Sequence, residues 1–254
     1  MAPPIQITSD GPVRIIRIDR PAARNAIDAR TAGLLREAWC GFEADPGARV
    51  GILTGGGDVF CSGADLRDLD GLGAEATGEH GPLGITRLAV SKPTLAAVAG
   101  YCVAGGLELA CWCDLRIADE TAVFGCFERR FGVPLIDGGT QRLPRIVGLG
   151  RALELILTGR PVSTREALAM GLVNEVVPAG QFLPRAVELA HALAAFPQTA
   201  LRNDRRAVYA GLGLPLSEGL AIEARLGAET LAGGEAAAGA RAFALGKGRG
   251  GSFD

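Results

Sequence analysis

The sequence is poor in lysine, histidine and aromatic residues. Of its 26 basic side chains only Lys92 and Lys247 are lysine, a bias that reads as coding preference rather than a binding signature. The formal net charge is -2, so the chain carries no electrostatic footprint for nucleic acid or an anionic membrane. There are two histidines, His80 in a glycine-rich loop and His191 in an amphipathic stretch, so a histidine-based metal site or a Ser-His-Asp triad is not expected. The six cysteines, Cys40, Cys61, Cys102, Cys111, Cys113 and Cys126, form no CxxC pair and mostly sit in apolar stretches. They read as reduced core residues of a cytoplasmic protein, with no metal expected. No GxGxxG follows a strand, and there is neither a P-loop nor a GxSxG. The longest apolar run, near Leu95 to Val103, is too short to span a bilayer, and the start MAPPIQ lacks the regions of a secretory leader.

What is present is apolar bulk. With 48% hydrophobic and 21% charged residues, the chain is globular, and its 254 residues suffice for one large core or a core plus a small appendage. The stretch that organises the rest is KPTLAAVAGYCVAGGLELACWCD, from Lys92 to Asp114. Thr94 to Val98 reads as a buried strand ending at Gly100. Gly105-Gly106 then punctuates, and Leu107 to Trp112 reads as a buried helix. A glycine pair at a helix start lets a ligand approach backbone N–H groups that lack intrahelical partners, where the helix dipole adds positive potential. Such a place suits an oxygen that becomes negative during a reaction. Glu108 falls in the first turn of this apolar helix, where its carboxylate must be paired, solvated by a cavity or tuned in pKa. The plainer alternative is that the glycines serve close packing and Glu108 faces water at a favourable helix end.

In chain order, residues 4–8 and 12–18 read as strands of a hairpin around Asp10-Gly11. Asp28 can cap a helix with Leu34, Leu35, Ala38, Trp39 and Phe42 on one face, and Val50 to Leu53 reads as a buried strand. The glycine-rich residues 71–84 are expected to form a mobile loop, a candidate lid, before a short helix from Ile85 to Val90. Strands follow at Asp114 to Ala118 and Ala122 to Gly125, then an irregular stretch from Cys126 to Asp137. Helices are expected near 140–147, 149–158, 164–170, 181–195, 197–210, 215–232 and 235–245, with a strand at Leu172 to Val177. This gives an α/β chain with a helical C-terminal appendage, divided as 1–195 and 196–254.

Three segments together resemble the enoyl-CoA hydratase/isomerase (crotonase) superfamily. They are DVFCSGADLR at Asp58 to Arg67, the Lys92 to Asp114 stretch, and GGTQRL at Gly138 to Leu143 followed by Leu157-Thr158-Gly159 and ALAMGLV at Ala167 to Val173. RPAARNA at Arg20 to Ala26 matches a further segment that touches coenzyme A in the family. The resemblance implies a crotonase (ClpP/crotonase-like) fold of repeated ββα units in two sheets, with C-terminal helices that build a homotrimer or a dimer of trimers.

It also implies an acyl-CoA thioester as substrate, with coenzyme A belonging to the substrate and no separate cofactor. The thioester carbonyl would be polarised by the backbone N–H groups of Ala64 and Gly105. Two glutamates that hold a water in family hydratases fall on Glu108 and Glu128; an ion pair with Arg129 or Arg130 is the structural alternative for Glu128. Arg24, Ala26, Asp65, Leu66 and Arg67 fall on coenzyme A-contacting segments, where the two arginines could equally be solvated surface residues. The chain departs from the family pattern at Phe127 to Gly132 and at Leu135 to Gly139, where Asp137 adds an acid near the expected pocket. The activity implied is reversible hydration of a 2-enoyl-CoA. The alternatives are double-bond isomerisation and a non-catalytic acyl-CoA-binding subunit.

Overall fold

The computed structural model describes residues 3–248. Residues 1–2 and 249–254, which close the two expected domains, lie outside this range. The chain forms two compact units, Met1–Leu193 and Ala194–Asp254. In the first, β1 (Ile5–Asp10) and β2 (Val13–Ile18) form the expected hairpin, and α1 (Ala29–Ala44) and β3 (Val50–Gly55) follow. A short helix α2 (Leu69–Gly73) precedes β4 (Thr94–Val98), β5 (Tyr101–Val103) and helix α3 (Gly105–Trp112). Strands β6 (Leu115–Asp119) and β7 (Val123–Gly125) lead into a 3-10 turn over Phe127–Phe131. Then come α4 (Gly139–Val147), α5 (Leu149–Thr158), β8 (Val162–Ser163), α6 (Thr164–Ala169), β9 (Glu175–Val177) and most of α7 (Phe182–Ala195), the unit ending at Leu193.

Six strands make one sheet in the order β1-β2-β3-β4-β6-β9, parallel from β2 onward, and β5-β7-β8 make a second. Parallel strands covered on both faces need apolar side chains on both, and β3 and β4 are buried along their whole length. α1 begins where Asp28 accepts the N–H and hydroxyl of Thr31, at 2.7 and 2.6 Å. Its buried face carries Leu35, Ala38, Trp39 and Phe42, with Trp39 edge-on to Trp112 of α3 at 4.8 Å between ring centroids. Buried Lys92 donates to the carbonyls of Phe42 and Asp45 at 2.6 and 2.7 Å, closing the other end of α1. All six cysteines are unpaired and five of them are buried.

Three local expectations are corrected. Residues 85–90 form turns, not a helix: Ile85 and Val90 are drawn into the core, and the Trp112 indole takes the Leu88 carbonyl at 3.0 Å. Six residues cannot offset helix nucleation without a packed face of their own. Residues 71–84 are not one open loop, because α2 occupies their start and residues 81–84 are buried. The strand expected from Leu172 begins only at Glu175, since the N–H groups of Leu172 and Val173 turn back onto the Ala167 carbonyl that closes α6. Strands β5 and β8 are too short to show a period in the sequence.

The second unit holds α8 (Gln198–Gly211), α9 (Leu216–Ala232) and α10 (Glu235–Ala244). The Asn203 amide on α8 donates to the Leu226 carbonyl and Thr230 hydroxyl of α9. Leu216, Leu231 and Leu245 of this unit are exposed. Among the described residues no helix is long and apolar enough to cross a membrane.

Candidate active site

The loop from Cys61 to Asp65 is held on both sides by backbone. The Cys61 backbone bridges β5, its N–H donating to the Tyr101 carbonyl at 3.0 Å and its carbonyl accepting the Val103 N–H at 3.1 Å, and the Ile27 N–H donates to the Gly63 carbonyl at 2.8 Å while the Asp65 N–H donates to the Ile27 carbonyl at 2.7 Å. Gly63 has φ +95°, and a Cβ there would come within 2.8 Å of the Gly105 nitrogen. Only glycine permits that approach of loop to helix start. Ala104, just before α3, is held at φ 53° and ψ -130°, a conformation that strains a residue with a Cβ by about 1–3 kcal/mol.

The backbone N–H groups of Ala64 and Gly105 have no protein acceptor among the described residues, and a Cβ on Gly105 would lie 3.5 Å from the Ala64 nitrogen. Both residues line a cavity of about 480 Å³. Two unpartnered donors lining one recess can bind one oxygen and favour its negative form.

Glu108, Glu128, Asp137 and Leu66 line the same cavity. Glu108 is 3% exposed, and its Oε1 accepts the N–H groups of Asp137 and Gly139 at 3.0 and 2.7 Å. Burial, then the nearby charges of Asp137 and Glu128, push its carboxyl up to about 8 despite those two hydrogen bonds. The reading of Glu108 as a solvated first-turn residue therefore falls. Glu128 is 6% exposed, and both its carboxylate oxygens are buried without a hydrogen-bond partner. Burial pushes its carboxyl up as well. No ion pair with Arg129 or Arg130 forms: those side chains bond the carbonyls of Ile156 and Gly159, and Arg130 lies 4.1 Å over the Phe127 ring.

Asp137 is 4% exposed, and burial pushes its carboxyl up too. Its Oδ1 accepts the Leu83 N–H at 3.1 Å and the Thr86 hydroxyl. These bonds fix the segment before β4, a role the sequence did not signal beyond its glycines. Among the described residues no three His, Cys, Asp or Glu side chains gather to hold a metal.

The remaining residues singled out in the sequence do not line this cavity. Ala26 is buried, and its carbonyl accepts from the Arg20 guanidinium. Arg24 is exposed, and its carbonyl accepts the Ser62 N–H at 3.2 Å, tying its segment to the loop. Asp65 is buried between arginines; hydrogen bonds from Arg67 and Arg20 hold its carboxyl down at about 2. Arg67 is 77% exposed, yet its Nε and Nη2 donate to Asp65 at 2.9 and 3.0 Å.

The family model for enoyl-CoA hydratase/isomerase matches residues 8–247. A probable enoyl-CoA hydratase of Mycobacterium bovis is 39% identical, the match covering 87% of each chain. A crotonyl-CoA hydratase of Syntrophomonas wolfei is 38% identical over 83% of each. The solved structure of an enoyl-CoA hydratase from Mycobacterium marinum aligns with a TM-score of 0.90 at 34% identity over 96% of each chain. The fold is thus the crotonase fold, and the chain belongs to the enoyl-CoA hydratase/isomerase family.

Proposed function

We propose that this protein reversibly hydrates 2-enoyl-CoA thioesters to 3-hydroxyacyl-CoA. The observation that carries the reading is one cavity holding both the unpartnered N–H groups of Ala64 and Gly105 and the buried carboxyls of Glu108 and Glu128. Water addition needs one group to take a proton from water as its oxygen bonds to the β-carbon. The double-bond electrons move toward the thioester oxygen, where the two N–H groups meet the developing enolate. A second group delivers a proton to the carbon next to the carbonyl. A carboxyl pair that repels a second charge, carrying one proton between its members, contains both the acid and the base. Glu108 reaches neutral pH with its proton largely retained, and its Oε1 is already occupied by two N–H groups. One oxyanion donor contributes roughly 3–4 kcal/mol of transition-state stabilisation.

Arg24 and Arg67 are the cations proposed for the coenzyme A phosphates, Ala26, Asp65 and Leu66 the segment around them, and no separate cofactor is required. The exposed leucines of the second unit support assembly into a trimer or a dimer of trimers, checked by light scattering. A cytoplasmic enzyme is the corresponding location.

The test is a panel of enoyl-CoA thioesters assayed for water addition and for double-bond migration. Hydration of crotonyl-CoA supports the reading. Migration without hydration overturns it in favour of an isomerase, which needs one carboxylate. Saturable thioester binding with neither reaction would leave a non-catalytic acyl-CoA-binding subunit.

A further inference from the structure

Asp137 is the buried acid that the hydration scheme leaves without a task. Its contacts run in two directions. Its carboxylate accepts the Leu83 N–H at 3.1 Å and the Thr86 hydroxyl, while its own peptide N–H donates to Glu108 at 3.0 Å. Leu83 is fully buried beside Gly105, where an added Cβ would meet its Cδ1 at 2.7 Å. Pro82 and Leu83 both line the cavity. Two arginines brace the same junction. Arg142 of α4 reaches the carbonyls of Asp137 and Thr86, and Arg87 reaches those of Ile136, Ala76 and Gly78.

We infer that Asp137 is a positioning residue that fastens residues 82–86 as a roof over the Ala64 and Gly105 donors and joins that roof to Glu108. The inference rests on the hydration reading in taking those donors as the thioester site. With the roof in place, apolar Leu83 keeps water off the donors, where a hydrogen bond to a developing negative oxygen is worth more than in water. One carboxylate oxygen, Oδ1, takes both roof bonds, and in this reading Asp137 is no third acid of the reaction. An amide at this position still presents an oxygen to both donors, whereas a methyl group presents none.

The experiment compares Asp137→Asn, Asp137→Ala and Thr86→Val. The last is nearly isosteric and reports even if Asp137→Ala folds poorly; thermal melts identify that case. The readouts are affinity for acetoacetyl-CoA, kcat and KM for crotonyl-CoA, and hydrogen exchange of the Leu83 amide. Asp137→Ala and Thr86→Val are expected each to weaken thioester binding roughly tenfold and to speed Leu83 exchange, the scale of a lost buried hydrogen bond. Their effects should fall short of additive in the double variant, because they break one linkage. Asp137→Asn should stay within about threefold of the parent, the difference between a charged and a neutral acceptor being modest. If Asp137→Asn is as impaired in kcat as Asp137→Ala while Thr86→Val behaves as the parent, Asp137 acts in the chemistry and the inference is wrong. If the parent binds no thioester, the hydration reading fails. Leu83 exchange then still decides the roof: unchanged exchange in Asp137→Ala and Thr86→Val removes it.

Discussion

Glu108 and Glu128 end in the same cavity, but the chain holds them differently. Glu108 stands on an α-helix and its Oε1 is gripped by two N–H groups from the loop that opens α4. Glu128 stands on a 3-10 turn, and its two oxygens meet no protein donor. Its neighbouring arginines face away, one toward Ile156 and the other toward Gly159. The difference teaches how two identical side chains can divide a reaction. One is oriented by backbone donors of the fold; the other keeps free hydrogen-bonding capacity, which the hydration proposed above would use.

The largest test of this contrast removes each carboxyl in turn. Glu108→Gln and Glu128→Gln are each expected to lower crotonyl-CoA hydration by about 10²–10⁴-fold in steady-state assays, with acetoacetyl-CoA binding retained. If either variant hydrates like the parent, the division of labour collapses to a single carboxyl. A smaller loss is expected from Gly105→Ala. Its Cβ would press on Leu83 Cδ1 at 2.7 Å and shift the donor pair, costing roughly 10²-fold in kcat/KM, on the scale of one oxyanion donor.

The environments also differ in what ionisation does to stability. From its ordinary 4.5 up to about 8, the folded Glu108 keeps a proton that the unfolded chain has lost. Stability therefore falls as pH rises through this window, at no more than about 1.4 kcal/mol per pH unit. Glutamine keeps an acceptor for the two N–H groups and cannot ionise. The melting temperature of Glu108→Gln should thus gain on the parent between pH 5 and pH 9, and a gap that stays constant would show that the carboxylate form is not penalised. Glu128→Gln should shift the same way by less, its burial being the weaker. The smallest effect is expected at Arg129. Its positive charge lowers the Glu128 carboxyl without pairing to it, so Arg129→Ala should move the acidic limb of the rate profile upward while kcat/KM changes less than about threefold. A loss as large as that of Glu128→Gln would restore the ion pair as the right description.

Much of the frame is legible in the residues. The hairpin, the Asp28 cap and the apolar runs at Val50 and Thr94 are local signals; the cap and both runs form where they are read, and the hairpin forms with its turn one residue on, at Gly11-Pro12. The apolar run left Glu108 either buried or facing water at a helix end, and the packing decides for burial. Residues 85–90 form no helix, since Ile85 and Val90 are packed into the core and the segment has no helical face of its own to bury.

The sequence by itself determined that a glycine-led helix and two glutamates exist along the chain, because helix signals are properties of neighbouring residues. It could not say that Glu128 would shed both arginines, that Ala104 would accept a strained backbone, or that Asp137 would reach Leu83 and Thr86. Each of those depends on which distant donors and acceptors the packed sheets bring within about 3 Å. Hydrogen-bond and burial energies are short-ranged, so tertiary packing alone decides them.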